Sequence, residues 1–168
     1  IRKLRNHGQT IIYGKMDFDL AGFNYRLTDF QAAFVNSQFS RLQKNIRIKQ
    51  GIARKFFKAF RENANMILPK HSRNKFHTWQ TFHVILDEKI NRDNLINTLR
   101  DNGIGTNYGA QCIPYMTFYR EKYHADCNAE FPNALKAYLH GIAVPVYAGL
   151  NKEEVEYIIQ KFNELTTS

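Results

Sequence analysis

The sequence predicts an α/β fold, in which a long helix leads into a small two-layer α/β domain. Three observations support this prediction. The chain has 168 residues, of which 43% are apolar and 14% aromatic, enough to build a hydrophobic core. Apolar residues recur at steps of three and four from Asp29 to about Asn63, which indicates a helix. Beyond Pro69, short β-branched and aromatic runs alternate with helical patterns, as in a small sheet packed against helices.

In the first part of the chain, the sequence predicts turns at glycine residues. Residues 1–5 have a helical pattern that stops at Gly8, a residue able to take the left-handed cap conformation. Residues 9–24 are interpreted as a loop or short hairpin with Gly14 and Gly22 at its turns. Because the chain begins without Met, in what resembles the tail of an amphipathic helix, we expect it to be the C-terminal piece of a longer protein.

The long helix has the clearest start signal in the sequence. Thr28 and Gln31 have the spacing of a capping box. A helix from Asp29 to about Asn63 would be roughly 50 Å long. That length exceeds the width of a small domain, so the helix is predicted to connect two bodies. The sequence therefore divides into residues 1–60, which end with the connecting helix, and residues 61–168, a small α/β domain.

The second part of the chain predicts strands and helices in alternation. Glycine, proline and capping asparagine residues mark the boundaries. The predicted order is a strand at 78–86, a helix capped by Asn91 and stopped by Gly103, a strand at 104–108, an irregular aromatic-rich segment at 109–130, a helix from Pro132 to about Gly141, a strand at 142–145, and a last helix opened by Asn151.

The net charge is +9, and the basic residues concentrate on the predicted long helix. They are Arg41, Lys44, Arg47, Lys49, Arg54, Lys55, Lys58 and Arg61, opposed there by Glu62. A charge run of this kind is most often the solvated face of a helix. A nucleic-acid binder remains the minor alternative, because zinc spacing and RNA-binding aromatic signatures are missing. We therefore expect no nucleic-acid partner, although a basic surface could steer a phosphorylated substrate.

Several classes of protein and site are disfavoured. No apolar run approaches the roughly 20 residues of a membrane span, and no secretory signal is visible, so we expect a cytoplasmic protein without a membrane partner. Cys112 and Cys127 lack metal-ligand spacing, and a buried apolar role is predicted for Cys112. No metal site is expected from the histidines, which are scattered and favour ordinary hydrogen bonds. They are His7, His71, His77, His83, His124 and His140.

Three stretches together resemble a known family. They are LRNHG at residues 4–8, GFNYRLTDFQAA at residues 22–33 and VPVYAGL at residues 144–150. Their order and spacing resemble the C-terminal half of the DegT/DnrJ/EryC1/StrS aminotransferases, over essentially the whole chain. These enzymes use pyridoxal phosphate to aminate keto sugars carried on nucleotides.

The resemblance implies a fold type I aminotransferase. Residues 1–60 would be the tail of the large cofactor-binding domain with its connecting helix, and residues 61–168 the small C-terminal domain. It implies a homodimer, a nucleotide-sugar substrate, an amino-acid donor such as glutamate, and a role in polysaccharide biosynthesis. In the family, the lysine that binds the cofactor covalently and the acid at its pyridine nitrogen precede the RNHG stretch, and Lys3 does not replace that lysine. The chain is therefore expected to hold no catalytic residue and to be inactive alone.

The resemblance also assigns binding residues. Asn24 would reach across the dimer toward the cofactor phosphate of the neighbouring subunit, and its amide is a suitable donor. Arg26 would support the same loop or contact a phosphate. Tyr108 and Gln111 would lie at the sugar site, although this chain has Gln111-Cys112 where many members have Leu-His. His7 is interpreted either as a loop anchor or as part of the active-site edge.

One alternative within the resemblance remains open. The chain could belong to a non-catalytic dimerisation or partner module of the same fold. Such a module would fold without cofactor and would present an apolar patch where another domain packs.

Overall fold

A computed structural model of the chain describes residues 1–70, 72 and 74–167. Its contacts divide the chain into an N-terminal unit, Ile1–Leu42, and a C-terminal unit, Gln43–Ser168. This boundary precedes most of the long helical region, whereas the sequence places a boundary at residues 60 and 61. The functional assignment of residues 1–60 and 61–168 stays a prediction. His71 lies outside the described residues.

The N-terminal unit contains a two-stranded hairpin. Strands β1 (Gln9–Ile12) and β2 (Lys15–Phe18) are antiparallel, and Ile12 pairs with Lys15. The two residues between them, Tyr13 and Gly14, have φ values of 50° and 76°. A two-residue hairpin turn needs such left-handed residues, which explains the glycine at this place. Of the two interpretations given for residues 9–24, a loop or a short hairpin, the structure shows the hairpin.

A second backbone pairing brings the RNHG and GFNYR stretches together. Residues 4–7 pair with residues 23–25 through backbone hydrogen bonds of 2.7 to 2.9 Å. Two glycines permit this approach. A Cβ atom on Gly22 would lie 2.2 Å from the backbone nitrogen of Gly8, and Gly8 itself has φ of +81°. The glycines of both stretches are therefore required by the contact between them.

The helix α1 (Asp29–Phe39) begins as predicted. The Thr28 hydroxyl accepts a hydrogen bond from the backbone of Gln31, whose side chain accepts one from the backbone of Thr28, which completes the capping box. No residue of α1 is buried, and Phe30 is 82% exposed.

The prediction of one continuous helix from Asp29 to about Asn63 is wrong. The helix α1 ends at Phe39, and α2 (Leu42–Phe60) begins three residues later. The Ser40 hydroxyl donates to the backbone oxygen of Ser37 at 2.8 Å, and a serine that competes for backbone carbonyls in this way weakens a helix. Gly51, a predicted bend or close-packing point, lies inside α2 without interrupting it.

The C-terminal unit is built on a three-stranded antiparallel sheet. Its strands are β3 (Met66–Ile67), β4 (Phe82–Leu86) and β5 (Gly141–Val144), in the order β3-β4-β5. Alternate residues of β4 are buried, as expected for a strand with one face on a core.

The main core lies between this sheet and helices α2, α3 (Arg92–Asp101) and α7 (Lys152–Thr167). Its most deeply buried side chains, none more than 1% exposed, include Phe56, Phe60, Phe82, Val84, Leu86, Leu99, Ile142, Val144, Val155 and Phe162. A buried polar pair joins the end of α2 to α7, because Asn63 Nδ2 donates to Thr166 Oγ1 at 2.8 Å. The core belongs to this unit alone.

The three predicted helices of this unit are confirmed, and Asn91 and Asn151 accept the expected capping hydrogen bonds. The third is α6 (Pro132–His140). The segment predicted to be irregular contains a 3₁₀ turn at Ile113–Tyr115 and helices α4 (Thr117–Tyr123) and α5 (Cys127–Glu130).

Two strand predictions need correction. The strand predicted at 104–108 is wrong, since only Asn107 forms a bridge, to Ala143. The Asn107 side chain accepts from the backbone of Gly109 at 2.6 Å and turns the chain away from the sheet. The strand predicted at 78–86 starts only at Phe82, because Trp79 has a left-handed φ of 49°.

Candidate functional site

The site residues expected in the N-terminal unit lie on the paired backbone of the RNHG and GFNYR stretches. Asn6 and Asn24 face each other across this pairing. Arg26 Nη1 donates to Asn6 Oδ1, and Asn6 Nδ2 donates to Gln9 Oε1 at 2.8 Å. The Arg26 guanidinium therefore braces the loop from which Asn24 projects.

Asn24 is held by its backbone, and its side chain is exposed. Within the described residues, its amide group forms no hydrogen bond. An amide in this state can donate two N–H bonds to a group outside the chain.

His7 has φ of 57°, and its backbone nitrogen donates to Phe23 at 2.9 Å. Its imidazole is exposed, so the backbone anchors the loop while the ring faces solvent. Lys3 forms an ion pair with Asp19 in the same unit.

The site residues expected in the C-terminal unit follow the Asn107 bridge. Tyr108 is 40% exposed. The Cζ atom of Arg92 lies 5.5 Å from the centre of its ring, and the Tyr138 ring meets it edge-on at 5.8 Å. A cation and an aromatic edge in these places restrict the orientation of the phenol ring.

Arg92 is itself fixed. Its side chain is 11% exposed, and Nη1 donates to the backbone oxygens of Tyr138 at 2.9 Å and Gly141 at 3.2 Å. An ion pair with Asp93 accompanies these bonds. Arg92 was not predicted to support Tyr108, because a basic residue in the first turn of a helix carries no signal of burial in the sequence.

His83 supports Tyr108 from the sheet. Its Nε2 lies 3.2 Å from the Tyr108 backbone oxygen, and since a carbonyl oxygen only accepts, this nitrogen carries the proton. Burial lowers the pKa of His83 from 6.5, while the bond to Tyr108 opposes that shift. The ring lies close to Gly109 and Gly141, where a Cβ atom would come within 2.7 Å and 2.2 Å of it. The structure confirms the predicted hydrogen-bonding role of this histidine.

Gln111 is exposed, whereas the next residue is not. Cys112 is 1% exposed and packs with Cys127 and Leu135, which confirms its predicted burial. Burial, and after it the neighbouring Cys112, raises the pKa of the Cys127 thiol. Both cysteines are free, and in this cluster they act as apolar packing.

Other predicted features also have a place in the structure. His77 Nδ1 accepts from the backbone nitrogen of Trp79 at 2.9 Å, an ordinary hydrogen bond. The basic residues of α2 are exposed or partly exposed, which confirms a solvated face.

In the described part of the chain, no three His, Cys, Asp or Glu residues are grouped as metal ligands. No helix among the described residues combines the length and apolarity needed to cross a bilayer.

Comparisons with known proteins agree with the sequence resemblance. The model of the DegT/DnrJ/EryC1/StrS aminotransferase family matches residues 1–163. The GDP-perosamine synthase of Vibrio cholerae is 31% identical over 162 residues, which cover 92% of this chain and 42% of that protein. The spore coat polysaccharide biosynthesis protein SpsC of Bacillus subtilis is 25% identical over 148 residues, 86% of this chain and 38% of that protein.

Solved structures show the same fold. PseC of Helicobacter pylori, an aminotransferase of pseudoaminic acid biosynthesis, has a TM-score of 0.87 at 18% identity, over 99% of this chain and 45% of that one. Spr1654 of Streptococcus pneumoniae in its PLP form has a TM-score of 0.86 at 21% identity, over 99% of this chain and 42% of that one. The chain thus spans less than half the length of these relatives. Since the family model matches nearly all of its residues, the chain belongs to the DegT/DnrJ/EryC1/StrS aminotransferase family.

Proposed function

We propose that this chain supplies the C-terminal part of a pyridoxal-phosphate aminotransferase that acts on a nucleotide-linked keto sugar in the cytoplasm. The amino group would come from an amino acid, glutamate in our proposal. The observation that carries the proposal is the exposed Asn24 amide, held on the braced loop of a chain whose family match covers residues 1–163. The similarity to a GDP-perosamine synthase supports a sugar as the acceptor.

The residues of the N-terminal unit fit the phosphate end of the cofactor. The Asn24 amide offers two N–H donors, and Arg26 has further N–H groups beyond the one bound to Asn6. The cofactor, when bound, supplies the electron sink for transamination. Lys3 is paired with Asp19, and we assign the covalent lysine and the acid at the pyridine nitrogen to residues outside this chain. On this proposal the chain alone is inactive.

The exposed apolar side chains of α1 support the proposal that another protein surface packs against this helix in the longer protein. Phe30, Phe34 and Phe39 are 82%, 62% and 68% exposed, although each is a large apolar residue. A patch of this kind marks a surface that packs against another protein body. In the proposal, the cover is the rest of the large domain together with a second subunit, so that Asn24 donates to the cofactor phosphate of its neighbour.

In the proposal, residues of the C-terminal unit contact the sugar substrate. Tyr108 is oriented by Arg92 and Tyr138 and is partly exposed, as a ring that contacts substrate should be. Gln111 is exposed on the same segment. We propose that both contact the nucleotide sugar, with His83 as the group that holds the backbone of Tyr108 in place.

The test uses the longer protein that contains this chain. Purified with pyridoxal phosphate, it should show the visible absorbance of the bound cofactor, and glutamate should bleach that absorbance. Asn24→Ala should weaken cofactor affinity at least tenfold, whereas Asn94→Ala, on an exposed part of α3, should leave it unchanged. The 168-residue chain alone should stay colourless. A longer protein that remains colourless would contradict the proposal.

A dimerisation module without catalysis is the second candidate, favoured by the exposed face of α1. It predicts a longer protein that sediments as a dimer and binds no pyridoxal phosphate. The same absorbance measurement, together with analytical ultracentrifugation, distinguishes the two functions.

A further inference from the structure

A row of basic side chains runs along the exposed face of α2, within the C-terminal unit. The row consists of Lys44, Arg47, Arg54, Lys58 and Arg61, all of which are exposed. Side chains that follow one another at steps of three, four or seven residues share one face of a helix. From its first to its last residue, the basic row extends over about 25 Å at 1.5 Å per residue. None of its members was assigned above as a site residue.

The opposite face of α2 is fixed in the hydrophobic core. Ile46 is 6% exposed, and Ala53, Phe56 and Phe60 are 0% exposed. Because this apolar face is packed against the sheet and the other helices, the helix cannot rotate to bury its cations. The basic row is therefore a permanent surface of the C-terminal unit.

The basic row lacks counter-charges. In the described part of the chain, only Arg61 of the row has an acidic partner, Glu62 at 2.9 Å, and both of these side chains are at least 70% exposed. Like charges one turn apart on a helix repel each other, so an anionic surface that neutralises them gains free energy. The core of a protein interface is depleted in lysine and built around apolar anchors, which the row does not contain.

An exposed aromatic residue lies beside the row. Gln50 is one turn from both Arg47 and Arg54, and its Nε2 atom donates to the backbone oxygen of His77 at 3.0 Å. This bond holds the segment around His77 along the edge of the row. The preceding residue, Phe76, is 71% exposed although it is a large apolar residue. Cations and an exposed phenyl ring are thus neighbours on the surface.

This combination fits an anionic lipid surface. A cluster of roughly four to eight basic residues on a helix is attracted to anionic headgroups, and aromatic rings are stabilised where the headgroups meet the acyl chains. Duplex nucleic acid would also attract the cations, but it offers an exposed phenyl ring no comparable environment. The expectation of no membrane partner rests on the lack of a spanning run in the sequence, and a contact with headgroups needs no such run.

We propose that the basic row of α2 binds the anionic headgroups of a membrane surface, with Phe76 entering the headgroup layer beside it. The contact is electrostatic and reversible. It goes beyond the function proposed above and does not depend on it, because neither cofactor nor sugar takes part.

Sedimentation with lipid vesicles tests the contact, with the longer protein that contains this chain. The protein should sediment with phosphatidylcholine vesicles that contain about 30% phosphatidylglycerol and should stay in solution with phosphatidylcholine alone. Raising the salt from about 0.1 M to about 0.5 M should weaken binding at least tenfold, because salt screens exposed charges. Phe76→Ala should weaken it several-fold.

Charge removal within the row is the decisive change. Replacing Arg47, Arg54 and Lys58 together by Gln should weaken vesicle binding about a hundredfold, at roughly fivefold for each charge. Arg47→Lys combined with Arg54→Lys should keep the affinity, because a lipid surface responds to charge rather than to the guanidinium fork. If the triple variant does not fold by circular dichroism, Arg54→Gln and Lys58→Gln made singly should each weaken binding about fivefold.

A matched control removes the same charge from other exposed positions of the C-terminal unit. Its three substitutions are Lys89→Gln, Arg100→Gln and Lys152→Gln. Because they lie outside the basic row, this variant should bind vesicles like the original protein.

Four results would each overturn the proposal. They are equal binding to uncharged vesicles, an unchanged affinity after charge removal within the row, an equal loss in the control variant, and an unchanged affinity of Phe76→Ala. A DNA duplex of about 20 base pairs, added at equal phosphate concentration, should not displace the protein from the vesicles. Displacement would mean a general polyanion surface and would also overturn the proposal. Vesicle binding is measured without cofactor or substrate, so its failure and the failure of the proposed aminotransferase are separate results.

Discussion

The two units of the chain differ in what holds them together. In the N-terminal unit, where all residues are described, no apolar side chain is buried, and the structure depends on backbone pairing, glycines and a capping box. In the C-terminal unit, a sheet and three helices bury a hydrophobic core in which the rings of Phe56, Phe60 and Phe82 pack together.

This difference indicates which unit can fold independently. Burial of apolar area is the main favourable term in folding, and the C-terminal unit has its own share of it. The helix α1 has eleven residues, below the roughly 12–15 at which isolated helices become even marginally stable in water. The N-terminal unit is thus expected to need a partner surface, whereas the C-terminal unit should unfold cooperatively on its own.

The largest contrast should come from phenylalanine truncation. Phe56→Ala removes a ring that is 0% exposed and should lower the free energy of unfolding by about 3–5 kcal/mol. Phe30→Ala, at a ring that is 82% exposed, should change it by less than about 0.5 kcal/mol. Denaturant unfolding of the 168-residue chain measures both. A large effect of Phe30→Ala would mean that α1 is packed within the chain.

Glycine substitutions should act in opposite directions in the two units. Gly22→Ala places a Cβ atom 2.2 Å from the backbone of Gly8, at a cost of about 1–3 kcal/mol. Hydrogen exchange should show faster exchange of the Tyr25 amide, which donates to Arg5 at 2.9 Å. Gly51→Ala, inside α2, has room and should stabilise the C-terminal unit by about 1 kcal/mol. Unchanged exchange at Tyr25 would contradict the close approach.

Removal of helix caps should separate local from global effects. Asn91→Ala removes the cap of α3 and should lower the free energy of unfolding of the C-terminal unit by about 1 kcal/mol. Thr28→Ala should reduce the helical content of α1 by circular dichroism without a shift of the main unfolding transition. Equal shifts of that transition by both variants would show that the two units unfold as one.

The smallest effect concerns pH. The pKa of His83 in the folded chain lies below its ordinary value of 6.5, so the unfolded chain takes up the proton first. Stability should fall as pH drops below about 6.5 and should level off below the folded pKa. His83→Gln should remove this part of the pH dependence, which Tm measurements across pH 4 to 8 can detect. An identical dependence of Tm on pH in the original chain and in His83→Gln would contradict the assignment of this effect to His83.

Local signals predicted the helix starts, whereas the helical pattern at residues 1–5 forms a turn instead. Thr28, Asn91, Pro132 and Asn151 mark helix starts because a cap or a proline acts within a few residues of its own position. The break after Phe39 was missed, because the apolar period continues across it and the Ser40 hydroxyl bond is invisible in a pattern of hydrophobicity. The role of Asn24 stays a prediction from the resemblance, while the contact between Arg26 and Asn6 beside it is visible only in the tertiary structure.

The sequence by itself determined the family, the helix starts and the glycine turns of the first part of the chain, since each depends on residue types at short or characteristic spacing. Only the tertiary structure decided which residues support Tyr108 and that the apolar side chains of α1 lie in solvent. These features depend on contacts such as that of Arg92 with Tyr138, between residues far apart in the chain. Burial and pairing at such distances are set by how whole elements pack, and a linear pattern does not contain that information.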